Sequence, residues 1–235
     1  MIEQTPDISV VVPVHDEQGA AGPLAREIAA AFAGRSYEML FVDDASKDGT
    51  LAELPALRVL SHGSNAGQSR AVRTGVLAAR APIVVTLDGD GQNPPADAPR
   101  LADLLAASSP EVALVGGVRA RRQDSEAKRQ ASLWANRIRK KLLSDDADDT
   151  GCGLKAFRRE VFLRLPYFDH IHRYLPALMI REGYRNRYLD VDHRHRETGR
   201  SKYTNWGRLV ASLSDLLGVM WLKSRSRRPG GVTEF

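Results

Sequence analysis

The sequence predicts an α/β fold in which a mostly parallel sheet is flanked by helices. Three observations predict it: short β-branched apolar runs recur through the first half, alanine-rich helical stretches separate them, and polar loops follow them. Alternation of strand and helix is typical of parallel sheets that carry helices on both faces. At 235 residues the chain can form one such domain, alone or with an appendage.

Strand and helix patterns alternate in the first half of the chain. Strands are expected at residues 8–14, 38–42, 58–61, 83–87 and 112–116. Helices are expected at residues 20–32, 66–80 and 96–107. Ligands of open sheets bind beyond the carboxyl ends of the strands. We therefore expect a site formed by the loops after Val14, Val42 and Leu87.

The second half is more basic. A basic helical stretch is expected from Arg119 to about Leu143, followed by an acidic loop at residues 145–149 and a basic strand at residues 189–195. The net charge of +5 is unevenly distributed, and basic clusters of this kind attract phosphates of any chemistry. The clusters occupy residues 119–122, 137–141, 194–202 and 223–228.

Composition limits the classes of protein. An apolar fraction of 43% suits a packed core. The single cysteine, Cys152, excludes an internal disulfide framework and fits a reducing compartment. The first residues contain no basic region, and no stretch approaches the roughly 20 apolar residues of a transmembrane helix. Neither a signal peptide nor a membrane span is therefore expected.

The segment of residues 87–95, LDGDGQNPP, is the most informative motif. Asp88 and Asp90 lie two residues apart at the end of an apolar strand, where both can reach one hard divalent cation, and the glycines let the backbone come close. A cation held by few protein oxygens completes its shell with water and substrate phosphates. The motif therefore indicates a nucleoside diphosphate site. The alternative is an ordinary Gly/Asp turn between strand and helix.

Carboxylates also follow the first two strands. Glu17 and Asp43 are placed to accept hydrogen bonds from a nucleobase or a ribose. Asp48 fits better in a turn at the start of a helix, with Ser46 or Asp48 as the cap. Asn65 precedes a helix whose first N–H groups can face a phosphate, and an ordinary N-cap is an equally good interpretation.

Together these motifs resemble family 2 glycosyltransferases of the GT-A fold, a Rossmann-like architecture. The polyprenyl-phosphate branch, typified by dolichol-phosphate mannosyltransferase-like enzymes, is the closer match. His15 and Asp16 depart from the pattern, since such families often carry Tyr and Asn there. The resemblance covers about residues 8–210 and rests on residues 11–17, 42–50, 65–67 with Gly75, 88–95, 117–119, 149–159 and 196–203.

The resemblance implies a role for each group of site residues. Mg²⁺ or Mn²⁺ on the donor diphosphate would be held by Asp88, Asp90 and Gln92. The nucleotide sugar would contact Pro13, His15, Glu17, Asp43, Gly67 and Asp88. The acceptor phosphate would contact Arg119, Arg129 and Ser132. The expected catalytic residues are Asp90, Asp149, Arg196 and Lys202.

Two of these roles have open alternatives. Arg129 is equally well interpreted as a solvated surface cation. Asp149 would orient the acceptor, or cap the turn at Thr150 and Gly151, or act as a base toward a hydroxyl acceptor. A phosphate acceptor is already anionic and has less need of a base.

The resemblance and the composition also predict the domain organisation. Residues 1–203 would form the GT-A domain, with a nucleotide-sugar-binding half at 1–118 and an acceptor-binding half at 119–203. Residues 204–235 would form an amphipathic helix and a basic tail. The apolar side chains expected on one helix face are Trp206, Leu209, Val210, Leu213, Leu216, Leu217, Met220 and Trp221.

Such a helix either lies in an anionic membrane interface or docks on the protein's own core. Relatives in this branch often continue into transmembrane helices. Because no membrane span is expected in this chain, we expect it to work as a peripheral enzyme at the cytoplasmic face of a membrane, or with a membrane-protein partner.

The resemblance implies an inverting, metal-dependent hexosyltransferase that moves a sugar from a nucleotide diphosphate sugar to a polyprenyl phosphate, dolichyl or undecaprenyl, in cell envelope glycan biosynthesis. The first alternative is a GT-A enzyme that acts on a saccharide or lipid hydroxyl. A non-catalytic nucleotide-sugar-binding subunit is disfavoured by the intact Asp88, Asp90 and Gln92. A nucleic-acid-binding module is disfavoured because few aromatic residues interleave with the basic clusters.

Overall fold

The computed structural model describes residues 5–119, 137, 139–194, 205–227 and 233. The strands are β1 (Ile8–Val14), β2 (Tyr37–Asp43), β3 (Arg58–Ser61), β4 (Ile83–Thr86), β5 (Val112–Arg119), β6 (Lys155–Arg158) and β7 (Arg185–Val191). The helices are α1 (Ala21–Ala31), α2 (Gln68–Ala78), α3 (Ala98–Ala106), α4 (Arg159–Arg164), α5 (Ile171–Arg181) and α6 (Asn205–Ser224). The strands form a seven-stranded sheet in the order β3-β2-β1-β4-β6-β5-β7.

All strands of this sheet except β6 run in the same direction. β1 lies parallel between β2 and β4, and β7 is parallel to β5. β6 is inserted antiparallel between β4 and β5. The predicted α/β fold with a mostly parallel sheet is confirmed.

Two strands differ from the sequence-based expectation. β6 was not predicted, because it is short and carries a charged residue at each end, Lys155 and Arg158. β7 begins at Arg185 and ends at Val191, whereas a strand was expected at residues 189–195. Its half-buried, alternating pattern is that of an edge strand, and the basic residues after Val191 lie beyond it.

Both faces of the sheet are covered. All seven residues of β1 are buried, as expected for a central parallel strand. Val10 and Val12 pack on the face that carries α1 and α3, while Val11 packs on the face that carries α2, α4, α5 and α6. This alternation follows from the two-residue period of a strand, and ligands of such covered sheets bind at the carboxyl ends of the strands.

A buried carboxylate organises the sheet end where the parallel strands begin. Glu38 accepts hydrogen bonds from Ser9 Oγ at 2.6 Å, from the Arg80 amide at 2.6 Å and from Arg58 Nη1 at 2.7 Å. Burial alone would raise the pKa of Glu38, but the hydrogen bonds from Ser9 and Arg80 outweigh it and lower that pKa. This end of the sheet is therefore a structural ion-pair network.

The second half of the chain contributes to the same sheet. β5 spans the predicted boundary between the two halves of the domain, residues 118 and 119. Residues 139–143 are helical, as predicted for the end of the basic stretch, while residues 120–136 lie outside the described residues. The predicted domain boundaries stay predictions.

The apolar side chains of the C-terminal helix α6 are divided between the core and the surface. Val219 is fully buried against α5, and Leu216 and Met220 pack on the same cluster. Leu213 and Leu217, in contrast, are each 58% exposed, and Trp221 is 60% exposed. The apolar arc expected from the sequence is therefore wide enough to contact the core along one edge and to remain exposed along the other. The side chains of Trp206, Leu209 and Val210 lie outside the described residues.

No helix in the described ranges combines the length and the hydropathy needed to cross a membrane.

Candidate active site

The acidic loop after β4 lies at the carboxyl end of the parallel strands, as predicted. Gly89 is needed there because a Cβ atom on this residue would come within 2.6 Å of the Pro13 carbonyl oxygen. Gly91 has a φ of +71°, which a residue with a side chain rarely adopts. These two glycines let the loop fold back over the end of β1 and bring Asp88 and Asp90 into one site.

Asp88 is held by groups from three different segments. Its Oδ1 accepts a hydrogen bond from Gln68 Nε2 at 2.7 Å, at the start of α2. Its Oδ2 is 3.5 Å from Asn93 Nδ2. Gly153 lies so close that a Cβ atom there would overlap the Asp88 carboxylate. Desolvation and the negative charge of Asp90 raise the pKa of Asp88, and a divalent cation would relieve both effects.

The loop continues through Asp90 to Gln92. The backbone N–H of Gln92 donates to Asp90 Oδ1 at 3.1 Å. The Gln92 carbonyl accepts from the Arg194 amide at 2.8 Å, and its side-chain nitrogen lies 3.5 Å from the Arg194 carbonyl oxygen. Gln92 therefore joins the acidic loop to the segment that follows β7.

The donor set of this loop fits a hard divalent cation. Two carboxylates and one amide are oxygen ligands of the kind that Mg²⁺ and Mn²⁺ take, and both ions leave positions for phosphate oxygens. Within the described part of the chain, no three His, Cys, Asp or Glu side chains come together as a ready-made metal cage. A cation here would complete its shell with other oxygens, such as that of the Gln92 amide, and with the substrate.

The loops after β1 and β2 form the neighbouring wall of the site. Asp16 has a φ of +51°, which Asn and Asp tolerate. Its amide donates to Ser46 Oγ at 2.9 Å, and its Oδ1 accepts from the Lys47 amide at 2.7 Å. The half-buried His15 lies beside it, with Nε2 3.5 Å from Asp16 Oδ2. Asp16 thus joins the loops after β1 and β2.

Asp43 and Glu17 lie on this wall. Asp43 is buried at the end of β2, where it accepts from Ser61 Oγ at 3.0 Å and from the Ser46 amide at 3.2 Å. The half-buried Glu17 donates its amide to Thr50 Oγ1 at 2.8 Å. Asp48 Oδ1 accepts from the Thr50 amide at 2.9 Å, so Asp48 is the turn cap that the sequence favoured.

Asp44 fixes the loop before α2, a function that sequence reasoning missed. Its carboxylate accepts from the Ala66 amide at 2.8 Å, the Gly67 amide at 2.7 Å and His62 Nδ1 at 2.7 Å. Gly67, with a φ of +86°, then leads directly into α2 and Gln68. The adjacent acidic pair at positions 43 and 44 was the available signal, since two carboxylates in one buried strand end need partners.

Arg119 and Asp149 form a bidentate ion pair on the opposite side of the site. Arg119 Nε donates to Asp149 Oδ2 at 2.6 Å and Nη2 donates to Oδ1 at 2.9 Å. Asp149 Oδ1 also accepts from the Gly151 amide at 3.1 Å, which is the turn-capping role considered from the sequence. Arg119 and Asp149, two residues expected on the acceptor side, therefore bind each other.

Lys155 lies between these two sides and was also missed. It is 4% exposed, at the start of β6, and its pKa is lowered by burial although Asp88 and Asp149 oppose that shift. It lines a small pocket with Asp88, Gly153 and His172. The His172 ring, whose Nδ1 is 2.7 Å from Ser69 Oγ, has its pKa lowered to about 3 by desolvation and by the charge of Lys155. A lysine within the apolar run of residues 154–157 was the available signal.

The structure thus gathers the predicted metal, nucleotide and acceptor residues at one end of the sheet. Pro13, His15, Glu17, Asp43, Gly67, Asp88, Asp90, Gln92, Arg119 and Asp149 all follow or end strands there, or lie in loops joined to them. The other predicted site residues, Arg129, Ser132, Arg196 and Lys202, lie outside the described residues.

The chain is similar to known glycosyltransferases. Residues 9–165 match the family model described as glycosyl transferase family 2. A dodecaprenyl-phosphate galacturonate synthase of Rhizobium johnstonii is 33% identical over 240 residues, which cover 97% of this chain and 70% of the relative. An undecaprenyl-phosphate 4-deoxy-4-formamido-L-arabinose transferase of Shewanella sediminis is 32% identical over 241 residues, covering 97% and 72%.

Solved structures share the fold. Glucosyl-3-phosphoglycerate synthase from Mycobacterium tuberculosis, crystallised with Mn²⁺, UDP and phosphoglyceric acid, superposes with a TM-score of 0.69 at 19% identity. The match covers 96% of this chain and 81% of that one. The fold is that of GT-A glycosyltransferases.

Proposed function

Because the chain belongs to the family 2 glycosyltransferases, we propose that it transfers a sugar from a nucleotide diphosphate sugar to a polyprenyl phosphate. The observation that carries the proposal is the arrangement of two charged centres at one sheet end. The Asp88 and Asp90 loop follows β4, Arg119 ends β5, and only β6 separates the two strands. One centre suits a metal-bound diphosphate and the other suits an acceptor phosphate.

The donor would lie over the loops after β1, β2 and β4. We assign the nucleoside to Pro13, His15, Glu17 and Asp43, and the diphosphate with its cation to Asp88, Asp90 and Gln92. A bound Mg²⁺ or Mn²⁺ would act as a Lewis acid on the leaving nucleoside diphosphate. Gly67 supports this side because its loop is tied by Asp44 and leads directly to the Gln68 contact with Asp88.

The acceptor phosphate would lie near Arg119. The planar guanidinium suits bidentate contact with phosphate oxygens, and Asp149 fixes its orientation. We propose that Arg129, Ser132, Arg196 and Lys202 add further contacts to the phosphates. Direct attack by the anionic phosphate on the anomeric carbon would invert that centre.

The geometry around Asp149 favours a phosphate acceptor over a hydroxyl acceptor. A hydroxyl needs a base to remove its proton. Both Asp149 oxygens already accept hydrogen bonds from Arg119, and Oδ1 also accepts from Gly151. A carboxylate bound in this way is a weak base, while a phosphate nucleophile needs none.

We further propose that α6 holds the enzyme at the cytoplasmic surface of a membrane. Leu213, Leu217 and Trp221 recur every four residues on its exposed side, and Lys223 and Arg225 follow. Apolar side chains with a basic flank suit the anionic cytoplasmic leaflet. The polyprenyl tail would then remain in the bilayer while its phosphate enters the site.

The test has a binding step and a transfer step. Thermal unfolding is measured with UDP- and GDP-sugars, each with and without Mn²⁺, and a shift that needs both ligands identifies the donor. That donor is then incubated with undecaprenyl phosphate, or with a short-chain analogue, and the lipid product is analysed. A sugar linked to the lipid phosphate supports the proposal, whereas transfer only to saccharide or lipid hydroxyls refutes it.

A further inference from the structure

Lys155 is a buried cation that the proposed reaction does not use. It is 4% exposed, and an ammonium group in such a place is unfavourable unless it is paired and hydrogen-bonded. Asp88 and Asp149 supply the compensating charges, and Arg119 is the neighbouring cation. Its Nζ donates to the Cys152 carbonyl oxygen and lies 3.5 Å from the Thr150 carbonyl oxygen. Lys155 therefore binds the backbone of one turn at two points.

That turn, residues 149–153, has a site residue against each end. At its start Asp149 holds Arg119 through the bidentate pair. At its end the Gly153 backbone lies against the Asp88 carboxylate, so closely that a Cβ atom there would overlap it. Thr86 Oγ1 donates to the Gly153 carbonyl oxygen at 3.0 Å and fixes that end to β4. The turn is thus the physical link between the metal side and the acceptor side.

We propose that Lys155 is a positioning residue that fastens the turn of residues 149–153 and so sets Arg119 at its working distance from Asp88. Its two carbonyl contacts hold the middle of the turn, between the ends held by Asp149 and Thr86. Without them Thr86 still fixes the Gly153 end of the turn to β4, but the rest of the turn can shift and carry Asp149, with the Arg119 that it binds, relative to Asp88. A shift of about 1 Å in a positioning element is enough to slow a displacement reaction by about 100-fold.

The kinetic part of this inference rests on the proposed function, while the fastening of the turn does not. The test therefore uses the full chain and two independent measurements. Lys155→Met removes the charge and the donors at similar volume, and Lys155→Arg keeps both. Arg185→Met is the matched control, since it removes an exposed cation that is 78% accessible at the opposite end of the sheet.

The first measurement is amide hydrogen exchange of peptides that cover residues 149–154. Exchange should be about tenfold faster in Lys155→Met than in wild type, and close to wild type in Lys155→Arg and Arg185→Met. Unchanged exchange in Lys155→Met overturns the inference whatever the protein's activity. If Lys155→Met does not fold, Lys155→Gln replaces it, because its shorter amide keeps the site polar but cannot reach both carbonyls.

The second measurement is steady-state transfer. The kcat of folded Lys155→Met should fall by about 10- to 100-fold, with the Mn²⁺-dependent binding of the donor nucleotide within about threefold of wild type. Lys155→Arg should recover most of the kcat. A lower melting temperature with normal kcat shows a merely structural lysine and overturns the positioning role. If wild type transfers sugar to no phosphate acceptor, the proposed function fails, and hydrogen exchange still decides whether Lys155 fastens the turn.

Discussion

Arg119 donates two hydrogen bonds to Asp149, from Nε at 2.6 Å and from Nη2 at 2.9 Å, across 30 residues of sequence. The Asp149 side chain is only 4% exposed and that of Arg119 is 19% exposed, so solvent screens the pair weakly. The carboxylate therefore fixes the plane of the guanidinium through Nε and Nη2, and Nη1 takes no part in the pair. We therefore propose that Asp149 positions Arg119 in the proposed reaction.

Asp149→Asn should lower kcat/KM for the phosphate acceptor by about 10- to 100-fold, because the bidentate ion pair becomes a weaker hydrogen bond from Arg119 to a neutral amide. Binding of the donor with Mn²⁺ should persist, and the pH profile of kcat should keep its wild-type shape, since no base has been removed. Asp148→Asn is the control, because Asp148 is 75% exposed and faces Lys140. Loss of the pH dependence together with a far larger fall in kcat would identify Asp149 as a base and contradict this role.

Asp90→Ala should abolish the Mn²⁺-dependent part of nucleotide binding and leave the fold intact, because a loop carboxylate contributes little to the core. Wild type at a ligand concentration of 100 times Kd should gain about 2.7 kcal/mol of stability, and the variant should gain almost none from the metal. Thermal unfolding with nucleotide, with and without Mn²⁺, measures this. Asp103→Ala is the control and should behave as wild type. It removes an equal charge from the surface, where the Asp103 side chain pairs with Arg35 and is 56% exposed. A variant that turns over donor at the normal rate in Mn²⁺ would refute the metal assignment.

Arg196→Ala should lower turnover by one or more orders of magnitude, since a charge-assisted phosphate contact contributes a few kcal/mol at most. We expect the same direction for Lys202→Ala, because both cations flank a short Gly/Ser-containing segment suited to closing on a bound phosphate. Steady-state kinetics measure this, with Arg164→Ala, an exposed helical cation, as the control. Normal specific activity with a strongly lowered melting temperature would show that Arg196 serves stability instead.

Leu213→Asp combined with Leu217→Asp should weaken sedimentation with anionic liposomes without unfolding the protein, because both side chains are 58% exposed. Wild type should sediment at low salt and less well at high salt, since each basic residue near an anionic surface contributes about 1 kcal/mol. Val219→Asp is the contrasting variant and should unfold the C-terminal region, because Val219 is fully buried. Folded wild type that ignores anionic liposomes yet glycosylates a short-chain acceptor would reject membrane docking and keep the catalytic assignment.

Ionised Glu38 should stabilise the fold at pH values above 4.5, the ordinary pKa of its carboxyl group, and this stabilisation should be lost as the pH falls. Its pKa is lowered in the folded state, so the unfolded chain takes up the proton at a higher pH, and protonation favours unfolding. The stability difference between wild type and Glu38→Gln should thus be largest near neutral pH and shrink as the pH falls below the ordinary value. Urea unfolding across this range measures it. Glu160→Gln, which alters an exposed pair, should show no such trend, and a constant Glu38→Gln difference would contradict the prediction.

The sequence by itself determined the strands of the first half and the chemistry of their ends. β2 and β4 are largely apolar runs with carboxylates at or just after their ends, so local patterns suffice to place Asp43, Asp88 and Asp90 at one edge. The end of the basic helical stretch and the existence of α6 were visible in the same way, from helical periodicity.

Only the tertiary structure decided which of these groups meet. The insertion of β6 between β4 and β5 brings Gly153 against Asp88 and places Lys155 between the two charged centres, because strand order depends on packing between segments far apart in sequence. The pair of Arg119 with Asp149, and the division of α6 into a buried and an exposed side, have the same origin. Local periodicity determines whether a segment can form a helix or a strand. Which partner a carboxylate or a leucine finds is fixed by long-range contacts that local periodicity does not encode.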